Sequence, residues 1–178
     1  MLDDLLPLSP SALRARMEAG FAIDAAALAG WEYEGVSLGL PHWVERLAWK
    51  TFKKVFLAEG DAIRGWNVGV VQAGLDGPFE DRKKRGERVT YGHYGLRSAI
   101  PGEALGGAYH HGLVIDYGAV GSGLDPGRRI RDPLVALRDG DPTLLLGASV
   151  LQLGSLGIRT PSFFLLRRGQ PLTYNVAP

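Results

Sequence analysis

From Trp31 onward, apolar and polar positions alternate. Trp31 and Tyr33 are interleaved with Glu32 and Glu34, and Val36 and Leu38 continue after Gly35, which predicts a strand with one buried face. Apolar runs bounded by glycine, proline or aspartate predict further strands at 53–57, 63–72, 109–117, 131–138, 143–153 and 161–168. Residues 40–47 are ambiguous: Pro41 at the start, with Trp43 and Leu47 four apart, favours a helical turn or two. Residues 73–88 carry turn chemistry followed by a nearly continuous charged run, so a solvated loop is expected there. Asp139-Gly140-Asp141-Pro142 is a hairpin-turn sequence. Short turns between successive strands imply antiparallel meander connections. Roughly seven to nine strands suffice to close a barrel of the ~8-strand kind.

The first residues follow a different period. Ser9 is placed to cap a helix that has Pro10 at its first position, and Leu13 and Met17 share a face. Asp24 can cap a second turn through Ala25, Ala26, Ala27 and Leu28. The expected organisation is a helical preface over 1–29 and a barrel domain over 30–178.

Composition narrows the function classes. The chain has 178 residues and a formal net charge of +1, so no global field draws it to nucleic acid or an anionic membrane. Cysteine is absent, which excludes disulfides, thiolate zinc sites, iron–sulfur clusters and a cysteine nucleophile. With no secretory-type leader and no apolar run of ~18 residues, a cytoplasmic protein without a membrane span is expected. The 25 glycines are about twice the usual share and predict many turns between short strands.

Several segments resemble the bacterial GXWXG-type lipocalin-like domains. Gly30-Trp31-Glu32-Tyr33-Glu34-Gly35 is similar to their glycine–aromatic opening, with the tryptophan directly after the glycine. Leu47-Ala48-Trp49-Lys50-Thr51-Phe52-Lys53-Lys54 resembles their tryptophan–glycine–lysine segment, with Thr51 in the glycine's place. Residues 112–117, 130–135 and 139–147 are similar to the paired late strands and the acidic turn that follows them. The resemblance implies a mainly β fold: an antiparallel lipocalin-like (calycin) barrel, of a group that commonly binds apolar small molecules inside the barrel. It also implies that Trp31 stacks with Arg167 or Arg168 to close one end, a structural role worth ~0.5–2 kcal/mol.

Candidate chemistry is sparse. His110 and His111 point to opposite faces of any regular strand, and no zinc pattern connects them with His42 or His93, so no metal site is expected. No nucleophile elbow, phosphate loop or dinucleotide fingerprint is present, and no cofactor is expected. Asp116, late in an apolar strand, is the aspartate expected to be buried. A ligand pocket is expected to draw on Trp49, Tyr94, Arg97, Tyr109, His111, Tyr117 and Arg131. Arg97, Arg131 or His111 would orient a polar head, such as a carboxylate met by an arginine fork.

The leading expectation is a carrier or sensor for a hydrophobic small molecule such as a fatty acid, with no nucleic-acid partner and its oligomeric state left open. The alternatives are a barrel enzyme for cyclisation or isomerisation, using His93, His111 or Asp116 as the acid–base group, and an interaction module with a filled core. A wide empty lumen favours the carrier, a polar pocket with a buried ionisable pair favours the enzyme, and a filled lumen favours the interaction module.

Overall fold

The computed structural model describes residues 2–39, 50–75, 77–106, 111–120 and 126–177. Their strands are β1 (Trp31–Leu38), β2 (Thr51–Glu59), β3 (Ala62–Gly69), β4 (Lys83–Lys84), β5 (Glu87–Arg88), β6 (Thr90–Ser98), β7 (Leu113–Asp116), β8 (Ile130–Ala136), β9 (Leu144–Leu153) and β10 (Leu156–Pro171). Eight of these form a closed antiparallel barrel in meander order, and β10 pairs back onto β1; β4 and β5 form a separate hairpin. The expected fold class, a mainly β antiparallel barrel preceded by a short helical segment, is the one observed. Closure removes every exposed strand edge from the main sheet.

Period-two alternation assigns the two faces. Tyr33, Phe56, Tyr94, Leu113, Ile115, Leu134, Leu145 and Leu166 pack together inside the barrel, and Leu28 from the Ala25–Leu28 turn joins them at one end. Burying each such side chain stabilises the fold by ~1.5–3 kcal/mol. The opposite face of β1, β10, β9, β8 and β7 is also apolar. It packs Val36, Phe163, Leu165, Leu146 and Val135 against Leu13 and Met17 of the helix Pro10–Glu18. Ser9 caps that helix by accepting from the Ala12 N–H. A third cluster, Val55, Trp66 and Val68, lies outside β2 and β3 beneath Leu172, Tyr174 and Val176 of the C-terminal tail. With both faces of most strands covered, hydrophobic runs replace clean alternation over much of the chain.

Four points of the expected layout need revision. Strand β6 escaped the sequence reading because its glycines and mixed polarity, Thr90-Tyr91-Gly92-His93-Tyr94-Gly95, hide the period, and a register shift in its pairing with β3 breaks it. The predicted loop at 73–88 contains the β4–β5 hairpin, and the predicted strand at 109–117 is regular only from Leu113 to Asp116. Nor do all the glycines mark turns. A Cβ on Gly35, Gly65 or Gly147, all within strands, would lie 2.2–2.4 Å from the rings of Phe52, Tyr94 and Phe164 respectively, so these glycines make room for aromatic rings laid across the lumen.

One end of the barrel is sealed as the resemblance implied. The Arg168 guanidinium lies 4.8 Å from the centre of the Trp31 ring. It also donates to the Tyr33 hydroxyl at 3.1 and 3.2 Å and to the Ala27 carbonyl, and Tyr33 donates to the Pro142 carbonyl at 2.8 Å. No helix among the described residues is long and apolar enough to cross a membrane.

Candidate functional site

The other end holds the unusual chemistry. Phe52, Lys54 and Phe56 share the inner face of β2, and antiparallel pairing places Lys54 opposite Asn67 on β3 and Asn67 opposite Tyr91 on β6. Asp132, on the inner face of β8, approaches from across the lumen, and Tyr117 follows directly on β7. Phe52, Lys54, Asn67, Tyr91, Tyr117 and Asp132, with Ser37, Ser149, Ser162 and Phe164, line a cleft of about 290 Å³. That volume is near the lower end of the ~300–1,000 Å³ range of small-molecule pockets.

Lys54 is the hub of this cleft. Its Nζ donates to the Tyr117 hydroxyl at 2.6 Å and to Asn67 Oδ1 at 2.9 Å, and it stands 3.7 Å from Asp132 Oδ2. The Tyr117 hydroxyl in turn donates a hydrogen bond to Asp132 Oδ2 at 3.3 Å. The rings of Phe52, Tyr94, Tyr117 and Phe164 surround the ammonium, with centres 5.1–5.7 Å away. Asn67 is held in turn by donating to the Tyr91 and Gly92 carbonyls. Gly92 is required at that point: its backbone sits at φ 56°, and a Cβ would lie 2.8 Å from Asn67 Nδ2.

Burial sets the proton affinities. It lowers the Lys54 pKa to about 8, against the opposing pull of Asp132. It raises Asp132, against the opposing pull of Lys54. Tyr94 and Tyr117 are pushed well above the usual phenol value and Tyr91 up to about 12, in each case first by burial, so all three are neutral hydrogen-bonding groups. Asp132 Oδ1 is buried and has no hydrogen-bond partner.

The expected site residues divide. Tyr117 lines the cleft and Tyr94 packs beside it in the lumen, their rings 5.4 Å apart. Arg97 and Arg131 do not reach the lumen. They lie on the outer face, where both bind the buried Asp116 at 3.1 and 3.0 Å, and Arg97 also pairs with Glu103. Even alternation explains this, since Tyr94 and Leu96 point inward and Arg97 therefore points out. His111 is an exposed position ahead of β7. His93 lies outside the barrel, tilted against Trp66 at 6.2 Å, with its pKa lowered by burial and by Arg64. Trp49 and Tyr109, like His42 and His110, fall outside the described residues.

Lys54, Asn67 and Asp132 were missed, although one signal was available. In β2 both faces carry apolar residues, so the adjacent Lys53 and Lys54 are both committed to buried positions. Two neighbouring lysines inside such a run mark one as facing the lumen.

Elsewhere, an opening of about 440 Å³ lies outside the barrel between Leu2, Val36, Phe79 and Leu165, but its rim charges, Glu34 and Arg167, are paired with each other at 2.6 Å. Among the described residues, no group of three His, Asp or Glu side chains is placed to hold a metal ion. The chain matches no family model, no curated protein and no solved structure.

Proposed function

We propose that the protein is a ligand-binding barrel that holds a compact small molecule in its mouth cleft, with the ligand's apolar flank on Phe52 and Phe164 and its polar side on Lys54, Tyr117 and Asp132. The observation that carries this reading is the buried Lys54–Asp132 pair at the wall of an open cleft. A buried ion pair seldom stabilises a fold relative to apolar residues of the same volume. Its presence in a largely apolar lumen therefore favours recognition over stability. The likeness to GXWXG-type lipocalin-like domains and a cytoplasmic location belong to the same reading.

The hydrophobic ligand expected of such a barrel is limited here by space. Among the described residues, Tyr33, Phe56, Tyr94, Leu134, Leu145 and Leu166 are buried and packed together in the lumen below Lys54, which crowds an extended acyl chain. A short, flat, partly polar molecule fits better than a fatty acid. A second reading, an enzyme for cyclisation or isomerisation, is favoured by the same pair. A lysine of lowered pKa beside an aspartate of raised pKa is an acid–base couple whose proton affinities are drawn towards each other.

Native mass spectrometry of the purified chain, followed by extraction and identification of the released molecule, tests the proposal. The expected result is a one-to-one adduct that is lost in a Lys54→Met variant whose circular dichroism is unchanged. Absence of any adduct, with no thermal stabilisation by a panel of small aromatic acids, aldehydes, fatty acids, haem and isoprenoids, overturns it.

A further inference from the structure

We infer that Lys54 is a covalent carbonyl-binding residue, and that the cleft takes a small, flat aldehyde or ketone which condenses with its amine as an imine. This rests on the proposal that the cleft is a ligand site and names the ligand's chemistry. Among the described residues, Lys54 is the one primary amine in the lumen, and three features of its surroundings match the steps of condensation. Asp132 faces the amine at 3.7 Å, too far for a tight hydrogen bond but placed to receive a proton. Tyr117 touches both groups, accepting from Lys54 and donating to Asp132, so it links the two proton positions. Phe52 and Phe164 supply flat apolar walls that suit a conjugated carbonyl better than a saturated chain.

The sequence of bonds follows from that placement. The Lys54 ammonium gives one proton to the Asp132 carboxylate, leaving a neutral amine. The nitrogen lone pair attacks the carbonyl carbon, a C–N bond forms as the C=O π bond breaks, and a proton moves from nitrogen to oxygen by way of the Tyr117 hydroxyl. Asp132 then returns its proton to the carbinolamine hydroxyl, the C–O bond breaks, and water leaves. The product is a protonated imine with the Asp132 carboxylate as counter-ion, and no oxidant or reductant is consumed. The lowered pKa of Lys54 supplies a fraction of free amine near neutral pH that exposed lysines lack. The titratable groups facing Lys54 are Asp132, Tyr117, Tyr94 and Tyr91, and the three phenols stay neutral over that range.

The test uses the full chain, benzaldehyde and cinnamaldehyde as probes, and cyanoborohydride to reduce any imine to a stable amine. Peptide mapping then reads which of Lys50, Lys53, Lys54, Lys83 and Lys84 is alkylated. Benzyl alcohol, which cannot form an imine, reports separately on non-covalent binding by saturation-transfer NMR. The expected result is initial labelling of Lys54 at least ~10-fold faster than of Lys83 or Lys84, suppressed by benzyl alcohol and rising with pH through about 8, as a titrating amine requires. An Asp132→Asn chain that still binds benzyl alcohol should label Lys54 ~10-fold more slowly, as loss of a general acid–base predicts. If benzyl alcohol binds but the label falls on the exposed Lys83 and Lys84, the covalent role is overturned and the ligand site stands. If neither probe engages the cleft, both fail.

Discussion

Lys53 and Lys54 are neighbours on one strand and nearly equally buried, 6% and 2% exposed, yet they sit in opposite chemical worlds. Lys53 points out of the barrel and is held by two carboxylates, Asp81 at 2.6 Å and Glu32 at 3.2 Å; Arg88 binds the other oxygen of Asp81. Burial pulls the Lys53 pKa down, but Asp81 and Glu32 outweigh it and leave it raised. Lys54 points inward to one carboxylate at 3.7 Å and two neutral acceptors, and burial wins. The outer cluster, two cations with two anions, lies beneath the C-terminal tail. Each cluster leaves one buried carboxylate oxygen without a partner, Glu32 Oε1 outside and Asp132 Oδ1 inside, but the inner one borders an open cleft. A cluster packed under the tail holds the fold together, whereas one that opens onto a cleft retains capacity for a ligand.

The largest expected contrast comes from removing each lysine's acidic partner. Asp132→Ala leaves Lys54 buried without a counter-charge and is expected to cost ~3–5 kcal/mol in urea denaturation. Asp81→Ala leaves Lys53 with Glu32 and is expected to cost ~1.5–3 kcal/mol. The double change Lys54→Met with Asp132→Leu is expected to restore most of the lost stability, since the fold does not need the inner pair. Equal costs for the two aspartates would break the comparison.

The next effect is in pH dependence, where the two lysines have opposite signs. In the unfolded chain both keep their protons to about pH 10.5, whereas folded Lys54 releases its proton near 8. Between those values the unfolded state binds more protons, so stability rises with pH by up to ~1.4 kcal/mol for each pH unit. Folded Lys53 holds its proton above 10.5, so its contribution is complete below that value and is lost as the pH climbs through its folded pKa. Lys54→Met should flatten the rise and Lys53→Met the later fall, as read by urea melts across that range.

Smaller effects sharpen the picture. Gly147→Ala pushes against the Phe164 ring, which borders the cleft, and is expected to cost ~1–3 kcal/mol while leaving the Lys53 cluster untouched. Arg97→Ala, on the partly exposed outer network where Arg131 still binds Asp116, is expected to change stability by ~1 kcal/mol or less. Thermal melts of both variants check the order.

Much of the barrel was legible in the chain because its apolar runs, hairpin turns and aromatic opening are local signals. The Trp31–Arg168 seal was expected from the resemblance and not from a local signal, since its partners lie near opposite ends of the domain. The site was less so. Tyr94 and Tyr117 were found as aromatics near strands. Arg97 and Arg131 were drawn to the wrong face because β6 had no visible period and the direction of Arg97 depends on it. Lys54 and Asp132 lie 78 positions apart on non-adjacent strands, and only the closure of the sheet brings them together. A lysine within an apolar strand was the one clue to that meeting.

The most direct test of the contrast is NMR titration of the lysine side-chain amines in the intact chain. Lys54 is expected to titrate at about 8, while Lys53 stays protonated beyond 10.5. Two lysines that both stay protonated beyond that value would contradict it.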